Sequence, residues 1–430
     1  MLRLPGPSDQ GTGERVATAW GISTRFAAIA ATFVAPMIRL RPLFAALLLV
    51  VGSACGTDLL KVETINPAPT TTTSTTTTTR PKPKATTTTT RAATSTTTVT
   101  TKPRPKVSSG VAAPPVTKAT PPAAPAPPTT AAAPLTGLPM DIVRARRPVL
   151  VVKIDNAPLA RPQIGLNQAD VVFEEGVEGG ITRFAALFHS EGSKPVGPVR
   201  SARSTDIRLI SALRHPLFAY SGANATFQRY VHEAPLVDVG FDAHSDRYHR
   251  DSARPSPYNL FSETDKLFDL APDGAAPPPA LFAYRSPGAA PSGPNARAVT
   301  HAKAWWQASK YTEALWDWDA TAKGWRRTQN GEAHVDAAGK QVTPANVVLQ
   351  FVTYHDTGQV DSTGTAVPEA DVVGQGDAWV LTGGMLIPCR WSKASDTDIT
   401  HYTDASGAPV KLTPGKTWVE LVPPNQAEAD

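Results

Sequence analysis

The sequence predicts an α+β fold: a mixed-sheet α/β N-terminal part packed with a β-rich C-terminal part, preceded by a disordered stalk. Three observations carry this prediction. Strand-like and helix-like segments alternate between residues 147 and 270, and short strands separated by turn signals fill the chain beyond residue 301. A long Thr- and Pro-rich stretch precedes both. The length of 430 residues is enough for two or three domains.

The formal net charge of +5 is unevenly distributed along the chain. Residues 1–60 carry a net charge of +2 and residues 61–130 a net charge of +8, which leaves −5 for residues 131–430. The part of the chain that is able to fold is therefore acidic. We do not expect a basic nucleic-acid-binding domain, or nucleic acid as a partner.

A signal-like segment begins at Met37. A short basic stretch leads into an uninterrupted apolar run over residues 43–51, and small residues then lead directly to Cys55. This order is typical of a secretory signal peptide, and a Cys after small residues is typical of lipidation. We predict a lipoprotein signal peptide over residues 37–54, with the membrane as a partner through a lipid anchor on Cys55.

Two features of this N-terminal region leave alternatives open. Residues 1–36 precede what is already a complete signal, so we expect that translation begins at Met37 and that residues 1–36 are a mis-assigned start. Gly52 stands where lipoprotein signals usually carry an aliphatic residue. An ordinary signal peptide or a short uncleaved anchor is therefore the alternative to lipidation.

The predicted linker over residues 55–135 consists mainly of Thr, Pro, Ala and Lys. It contains few bulky apolar residues, so it cannot bury enough surface to offset the entropy of ordering. We expect a disordered stalk that spans roughly 50 Å as a loose coil and holds a folded part away from the membrane.

An α/β domain is predicted over residues 136–275. Apolar runs over residues 147–154, 169–175 and 181–188 predict strands, and glycines between the last two predict a hairpin. A helix is predicted over residues 204–213, because its apolar residues share one face.

Two local details of this domain follow from residue type and spacing. Ser204 or Thr205 is the expected N-cap of the helix, because a hydroxyl can accept a hydrogen bond from a free backbone N–H group. Glu174 and Glu175 are expected on opposite faces of the sheet, because side chains alternate along a strand.

The remaining chain divides into an insertion and a β-rich domain. Residues 276–300 are rich in Pro, Ala and Gly, and residues 301–424 carry short apolar segments separated by glycine-containing turns. Five tryptophans lie between residues 305 and 325; they could stack on sugars, but at this density core packing is the favoured interpretation.

The strongest candidate site is an arginine cluster at the start of the predicted helix. Planar guanidinium groups beside a helix N-terminus suit phosphate, pyrophosphate or another polyanion. The alternative is a structural ion network in which these arginines pair with glutamates of the preceding hairpin. The ligand-binding candidates in this cluster are Arg183, Arg200, Arg203, Arg208, Glu174 and Glu178.

Further polar candidates lie in loops, and none of them assigns a reaction. The run over residues 242–251 contains Asp and His, but its spacing matches no zinc or calcium pattern, so we predict no metal site. A glycosidase needs two carboxylates facing each other about 5 Å or about 6.5–9.5 Å apart, which the opposed faces of Glu174 and Glu175 disfavour. The other pairing would be Glu178 with Asp155 or Asp251. Cys389 is expected to be a packed thiol. The additional ligand-binding candidates are Asp155, Arg250, Asp251 and Asn259.

Several segments together resemble a known family. The most specific are residues 169–184 and 196–203, and further matches lie at residues 248–251, 257–260 and 414–418. This combination resembles the YerB-like family of bacterial envelope lipoproteins over residues 135–424. The resemblance implies an exported, lipid-anchored, two-part protein at the extracytoplasmic face of the cell membrane, with residues 136–275 and 301–424 as its two domains. It implies no reaction and no cofactor.

Two hypotheses about function follow. The first is a non-enzymatic binding or regulatory factor of the cell envelope, whose partner is an anionic wall polymer or a wall-synthesis protein. The second is an envelope enzyme that acts on phosphate- or pyrophosphate-linked glycans through the arginine cluster. The sequence names no catalytic residue for the second hypothesis.

Overall fold

The computed structural model describes residues 129–306 and 312–430. The predicted signal peptide, Cys55 and most of the predicted stalk lie outside these residues. Within the described part, no helix combines the length and apolarity needed to cross a membrane.

The described N-terminal half contains the three α-helices. They are α1 (Ser204–Ile210), α2 (Ala225–Glu233) and α3 (Thr264–Phe268). Its strands are β1 (Thr130–Ala132), β2 (Pro139–Asp141), β3 (Leu150–Asp155), β4 (Val171–Gly176), β5 (Thr182–Phe188), β6 (Leu217–Ala219), β7 (Val237–Asp238), β8 (Tyr248–Arg250), β9 (Leu260–Ser262), β10 (Ala283–Tyr284) and β11 (Arg297–Ala298).

The described C-terminal half is built from strands. They are β12 (His301–Trp306), β13 (Thr312–Asp319), β14 (Gly324–Gln329), β15 (Glu332–Ala333), β16 (Asn346–Phe351), β17 (Tyr354–Val360), β18 (Ala366–Ala370), β19 (Gly374–Thr382), β20 (Met385–Lys393), β21 (His401–Thr403), β22 (Lys411–Leu412), β23 (Thr417–Val422) and β24 (Ala427–Ala429).

One mixed sheet takes strands from both halves of the chain. Its order is β11-β20-β19-β16-β23-β4-β5-β3-β6-β7, and β21 pairs with β20. The halves meet where β23 runs parallel to β4, with Thr417 opposite Val171 and Glu420 opposite Glu174. The predicted division between an N-terminal and a C-terminal domain therefore does not coincide with a division between sheets.

The centre of this sheet is covered on both faces. Every residue of β3, β4 and β5 is buried, which is why apolar residues face both sides of these strands and why their charged residues need partners inside the protein. The hairpin expected from the glycines is present, because β4 and β5 pair antiparallel from Val171 opposite Leu187 to Gly176 opposite Thr182.

A second sheet supplies the tryptophan-rich core. Its five strands are ordered β15-β14-β13-β12-β24. Trp316 packs against Trp418 of the large sheet with ring centroids 5.5 Å apart, and Phe184 lies 5.1 Å from Trp418. Trp306 and Trp325 are also buried, so these side chains are core residues, as the favoured interpretation of the sequence expects.

Helix α1 packs on a different cluster of the large sheet. Leu209, Ile210 and Leu213 share that cluster with Val171 and Phe173. The expected helix over residues 204–213 is an α-helix to residue 210, followed by a 3₁₀ turn over residues 211–213.

The predicted N-cap of α1 is wrong. Arg203 is the N-cap in place of Ser204 or Thr205, since Arg203 is the last residue with extended backbone angles. The carboxylate of Asp206 accepts a hydrogen bond from the Arg203 backbone N–H at 2.8 Å. The acidic residue in the first turn therefore supplies the capping that the sequence assigned to a hydroxyl.

The ordered chain also extends beyond the predicted segment limits. Within the predicted linker, Leu135 is fully buried, and its carbonyl accepts a hydrogen bond from the hydroxyl of Tyr284 at 2.5 Å. Tyr284 lies in the predicted insertion, where β10 pairs with β22. Strand β24, beyond residue 424, pairs with β12. These segments contain few apolar residues, but they are ordered because their backbones hydrogen-bond to neighbouring strands and Leu135 packs in the core.

Candidate functional site

Arg183 and Arg203 form a buried ion cluster with Glu178. Arg203 Nε donates to Glu178 Oε2 at 2.9 Å, and Arg183 Nη2 donates to Glu178 Oε1 at 2.8 Å. Arg203 Nη2 also contacts Glu178 Oε1. All three residues are buried. The donors that the sequence offered to a polyanion are thus directed at a carboxylate of the protein itself.

The charges of this cluster act strongly on Glu178. Burial by itself raises the pKa of this carboxyl, but the hydrogen bond from Arg203 and the charges of Arg183 and Arg203 outweigh it and lower the pKa to about 2. Glu178 is therefore ionised at neutral pH and holds both guanidinium groups in place.

A second buried cluster lies under the first turn of α1. Lys153 Nζ donates to Asp206 Oδ1 at 2.7 Å and also contacts Glu175 Oε1. Burial, followed by the charge of Asp206, raises the pKa of Glu175 to about 7 against the opposing charge of Lys153. Asp206 thus caps α1 with one oxygen and pairs with β3 through the other, which fixes the helix on the sheet.

Glu174 is separated from the arginine cluster, as the alternation along β4 predicts. It lies on the face of the second sheet, where Arg327 Nη2 contacts its two oxygens at 2.7 and 2.9 Å and Trp418 Nε1 donates at 3.1 Å. Glu174 and Arg327 are fully buried. Glu174 therefore does not share a site with the arginines at the start of α1, and the prediction that groups them is wrong. The partner of Glu174 is Arg327 of β14, which no local sequence pattern indicated.

A neighbouring carboxyl completes this buried pair. Burial first, and then the charge of Glu174, raise the pKa of Glu420 well above its usual range. Trp316 Nε1 donates to Glu420 Oε1 at 3.0 Å. Because β23 and β4 place Glu420 directly opposite Glu174, the pair joins the two halves of the chain inside the core.

The remaining loop candidates form ion pairs and hydrogen bonds of their own. Arg200 Nε lies 2.7 Å from Asp155 Oδ2, and its guanidinium lies 5.9 Å from the ring centroid of Tyr258. Arg250 Nη1 donates to Asn259 Oδ1 at 2.9 Å. These pairs join the end of β3 to the segment before α1 and the end of β8 to the segment before β9, and they do not converge with Arg208.

Two predictions from the sequence remain, one for Asp251 and one for Cys389. Asp251 Oδ2 lies 3.6 Å from Arg254 Nε. Cys389 is a buried free thiol on β20, and burial raises its pKa to about 12, so it is a packed thiol as expected. No group of three or more potential metal ligands occurs among residues 129–306 and 312–430.

Arg208 differs from the other helix-start arginines because it faces an open cavity. The side chain is 38% exposed, and its Nε lies 3.1 Å from Glu369 Oε1 and 4.0 Å from Asp396 Oδ1. The cavity has a volume of about 560 Å³. Helices α1 and α2 line it from the N-terminal half, and β17, β18 and the loop after β20 line it from the C-terminal half.

Two further features of this cavity were missed by sequence reasoning. His355 Nδ1 lies 2.9 Å from Asp371 Oδ1, and its Nε2 lies 3.7 Å from Glu369 Oε1. Ser204 lines the same cavity and is 3% exposed, and within residues 129–306 and 312–430 its hydroxyl has no hydrogen-bond partner. His355 and Glu369 lie about 150 residues after α1 in sequence, so no local pattern could have linked them to Arg208.

Comparison with known proteins gives matches over most of the described chain. Two family models, the N-terminal and the C-terminal domain of "Protein of unknown function (DUF3048)", match residues 135–275 and 303–419. The "Putative lipoprotein YerB" of Bacillus subtilis (strain 168) is 29% identical over 300 residues, which is 67% of this chain and 86% of that protein. The crystal structure of YerB from Bacillus subtilis has the same fold, with a TM-score of 0.58 at 23% identity over 69% of this chain and 99% of that chain.

Proposed function

The chain belongs to the YerB-like family, because both DUF3048 domain models match it. On this premise we propose that it is a lipid-anchored cell-envelope protein that binds a cell-wall component without transforming it. Cys55 would carry the lipid at the extracytoplasmic face of the membrane. The Thr- and Pro-rich stretch would give the folded part a reach of roughly 50 Å toward the wall.

One observation carries the binding proposal: the cavity beside Arg208 is built by both halves of the chain and is lined by a buried hydroxyl without a partner. Its volume of about 560 Å³ lies within the usual range of small-ligand sites. The unpaired Ser204 hydroxyl is the kind of buried polar atom that a ligand satisfies. The half-exposed Arg208 offers a charged group that an incoming ligand can reach.

An envelope enzyme acting on phosphate-linked glycans is the weaker proposal. It needs arginines that are free to contact phosphate, whereas Arg183 and Arg203 are buried against Glu178. Arg200 is paired with Asp155. Helix α1 has seven residues, and its first turn is occupied by the carboxylate of Asp206. Little positive charge remains for a pyrophosphate.

Cosedimentation with purified cell-wall sacculi tests the binding proposal. The full chain, extracted from membranes in detergent, should sediment with the sacculi, and Arg208→Gln should raise the apparent Kd from a sacculus titration by about tenfold, equivalent to about 1.4 kcal/mol. Arg390→Gln is the matched control, because Arg390 is also exposed and paired with a carboxylate, Asp377, at 2.8 Å. Equal binding by the two variants and the wild type would contradict the proposal.

Anchoring is tested separately. Cys55→Ala should abolish incorporation of labelled fatty acid into the chain, because it removes the thiol that lipidation requires. A wild-type chain that stays in the membrane fraction without incorporating the label would support the uncleaved-anchor alternative instead.

A further inference from the structure

The cavity beside Arg208 carries more carboxylates than cations. Glu233, Glu369 and Asp396 line it together with Arg208. Among the Asp, Glu, Lys and Arg side chains of this lining, three carboxylates and one guanidinium leave a net charge of −2. An anionic wall polymer or a pyrophosphate would meet a repulsive field in such a site, whereas a cation would be attracted.

Glu369 is the best-held of these carboxylates. Its side chain is 9% exposed, and its Oε1 is shared between Arg208 Nε at 3.1 Å and His355 Nε2 at 3.7 Å. Asp371 in turn holds the other ring nitrogen of His355 at 2.9 Å. A carboxylate fixed on one oxygen by two neighbours presents its second oxygen in a defined place, which favours a specific partner over a diffuse counter-ion.

Ser204 provides an independent indication of a ligand. A buried hydroxyl without a partner lowers stability, so such atoms are rare unless something outside the chain satisfies them. Ser204, the first residue of α1, lines the cavity and is 3% exposed, and its hydroxyl has no hydrogen-bond partner among the residues that the structure describes. Its oxygen can accept a hydrogen bond from a donor that enters the cavity.

Resting on the binding function proposed above, we propose that this cavity recognises a primary amine carried by a wall component, such as the free side-chain amine of a wall peptide. An ammonium group has three donors and no acceptor. The carboxylates of Glu369 and Asp396 and the hydroxyl of Ser204 are acceptors, so the chemistry of the lining matches the ligand. Arg208 then keeps Glu369 in position and is not a phosphate ligand.

Titration calorimetry of the full chain in detergent tests this proposal with three probes. The first is a soluble stem peptide released from the wall with its side-chain amine free, the second is the same peptide with that amine acetylated, and the third is a short polyglycerol phosphate. The peptide with the free amine should bind with a Kd at least about tenfold lower than that of the acetylated peptide. The polyglycerol phosphate should bind most weakly of the three probes.

Three variants locate the binding in the cavity. Asp396→Asn and Glu369→Gln should each weaken binding of the free-amine peptide several-fold, whereas Asp377→Asn, which removes an exposed carboxylate outside the cavity, should not. Ser204→Ala should weaken binding without lowering the melting temperature of the free protein, since it removes an unpaired buried hydroxyl. Asp396 is 49% exposed, so its variant keeps the test valid if Glu369→Gln does not fold.

The outcomes separate the two proposals. Recognition of an amine is overturned, and binding at the cavity stands, if the acetylated peptide binds as tightly as the free amine or if the polyglycerol phosphate binds more tightly. The same conclusion follows if no probe binds while Arg208→Gln still weakens cosedimentation with sacculi. If none of the probes binds and Arg208→Gln also leaves cosedimentation with sacculi unchanged, both proposals are overturned.

Discussion

Arg203 and Arg208 lie five residues apart on one short helical segment, yet their surroundings differ in every respect that matters for function. Arg203 is buried against Glu178, which ties α1 to the hairpin of β4 and β5. Arg208 is partly exposed in a cavity that the C-terminal half closes. A cluster of like charges in sequence is therefore not a cluster in space, and the number of arginines says little about ligand affinity.

The largest expected effect is on the buried side of this comparison. Arg203→Ala should lower the free energy of unfolding by about 3–5 kcal/mol, because it leaves the carboxylate of Glu178 with one of its two buried partners. Urea unfolding followed by circular dichroism measures this change. If the free energy of unfolding falls by less than about 1 kcal/mol, Arg203 contributes no more than an exposed arginine does, which would contradict the difference drawn here between Arg203 and Arg208.

The buried cluster should also show a defined pH dependence. Because the folded-state pKa of Glu178 is lowered to about 2, its stabilising contribution is fully present above the ordinary pKa of 4.5 and is lost as pH falls through about 2. This contribution is on the order of 3 kcal/mol. The difference in free energy of unfolding between the wild type and Glu178→Gln should therefore stay constant from pH 7 to about pH 4.5 and become smaller between pH 4.5 and pH 2. A gap that does not change between pH 7 and pH 2 would show that the ionised carboxylate is not its source.

The smallest expected effect is on the exposed side. Arg208→Ala should change the free energy of unfolding by less than about 1 kcal/mol, because partly exposed ion pairs are screened by water. Arg390→Ala, which removes another exposed ion-paired arginine, should match it within about 0.5 kcal/mol. Thermal unfolding of the two variants side by side checks this. A large loss for Arg208→Ala alone would make Arg208 a structural residue and remove it from the binding site.

Local patterns predicted the elements of the N-terminal half well. The apolar runs and glycines place β3, β4 and β5 within a few residues of their observed positions, since buried strands and tight turns are determined by neighbouring residues. The opposite orientations of Glu174 and Glu175 followed from the geometry of any strand. The predicted N-cap of α1 failed because helical backbone angles already begin at Ser204, where the Asp206 carboxylate accepts a hydrogen bond from the backbone N–H of Arg203.

The sequence by itself determined the strands, the hairpin, the opposed glutamates, the packed Cys389 and the family resemblance, because each depends on residue type and short spacing. Only the tertiary structure decided which charges are neutralised and which remain accessible. Pairing of β23 with β4 brings Glu420 and Arg327 to Glu174, and the folding of β17 and β18 beside α1 brings His355 and Glu369 to Arg208. These residues are separated by about 150 residues of chain or more, and burial and pairing across such separations arise only when the sheet closes.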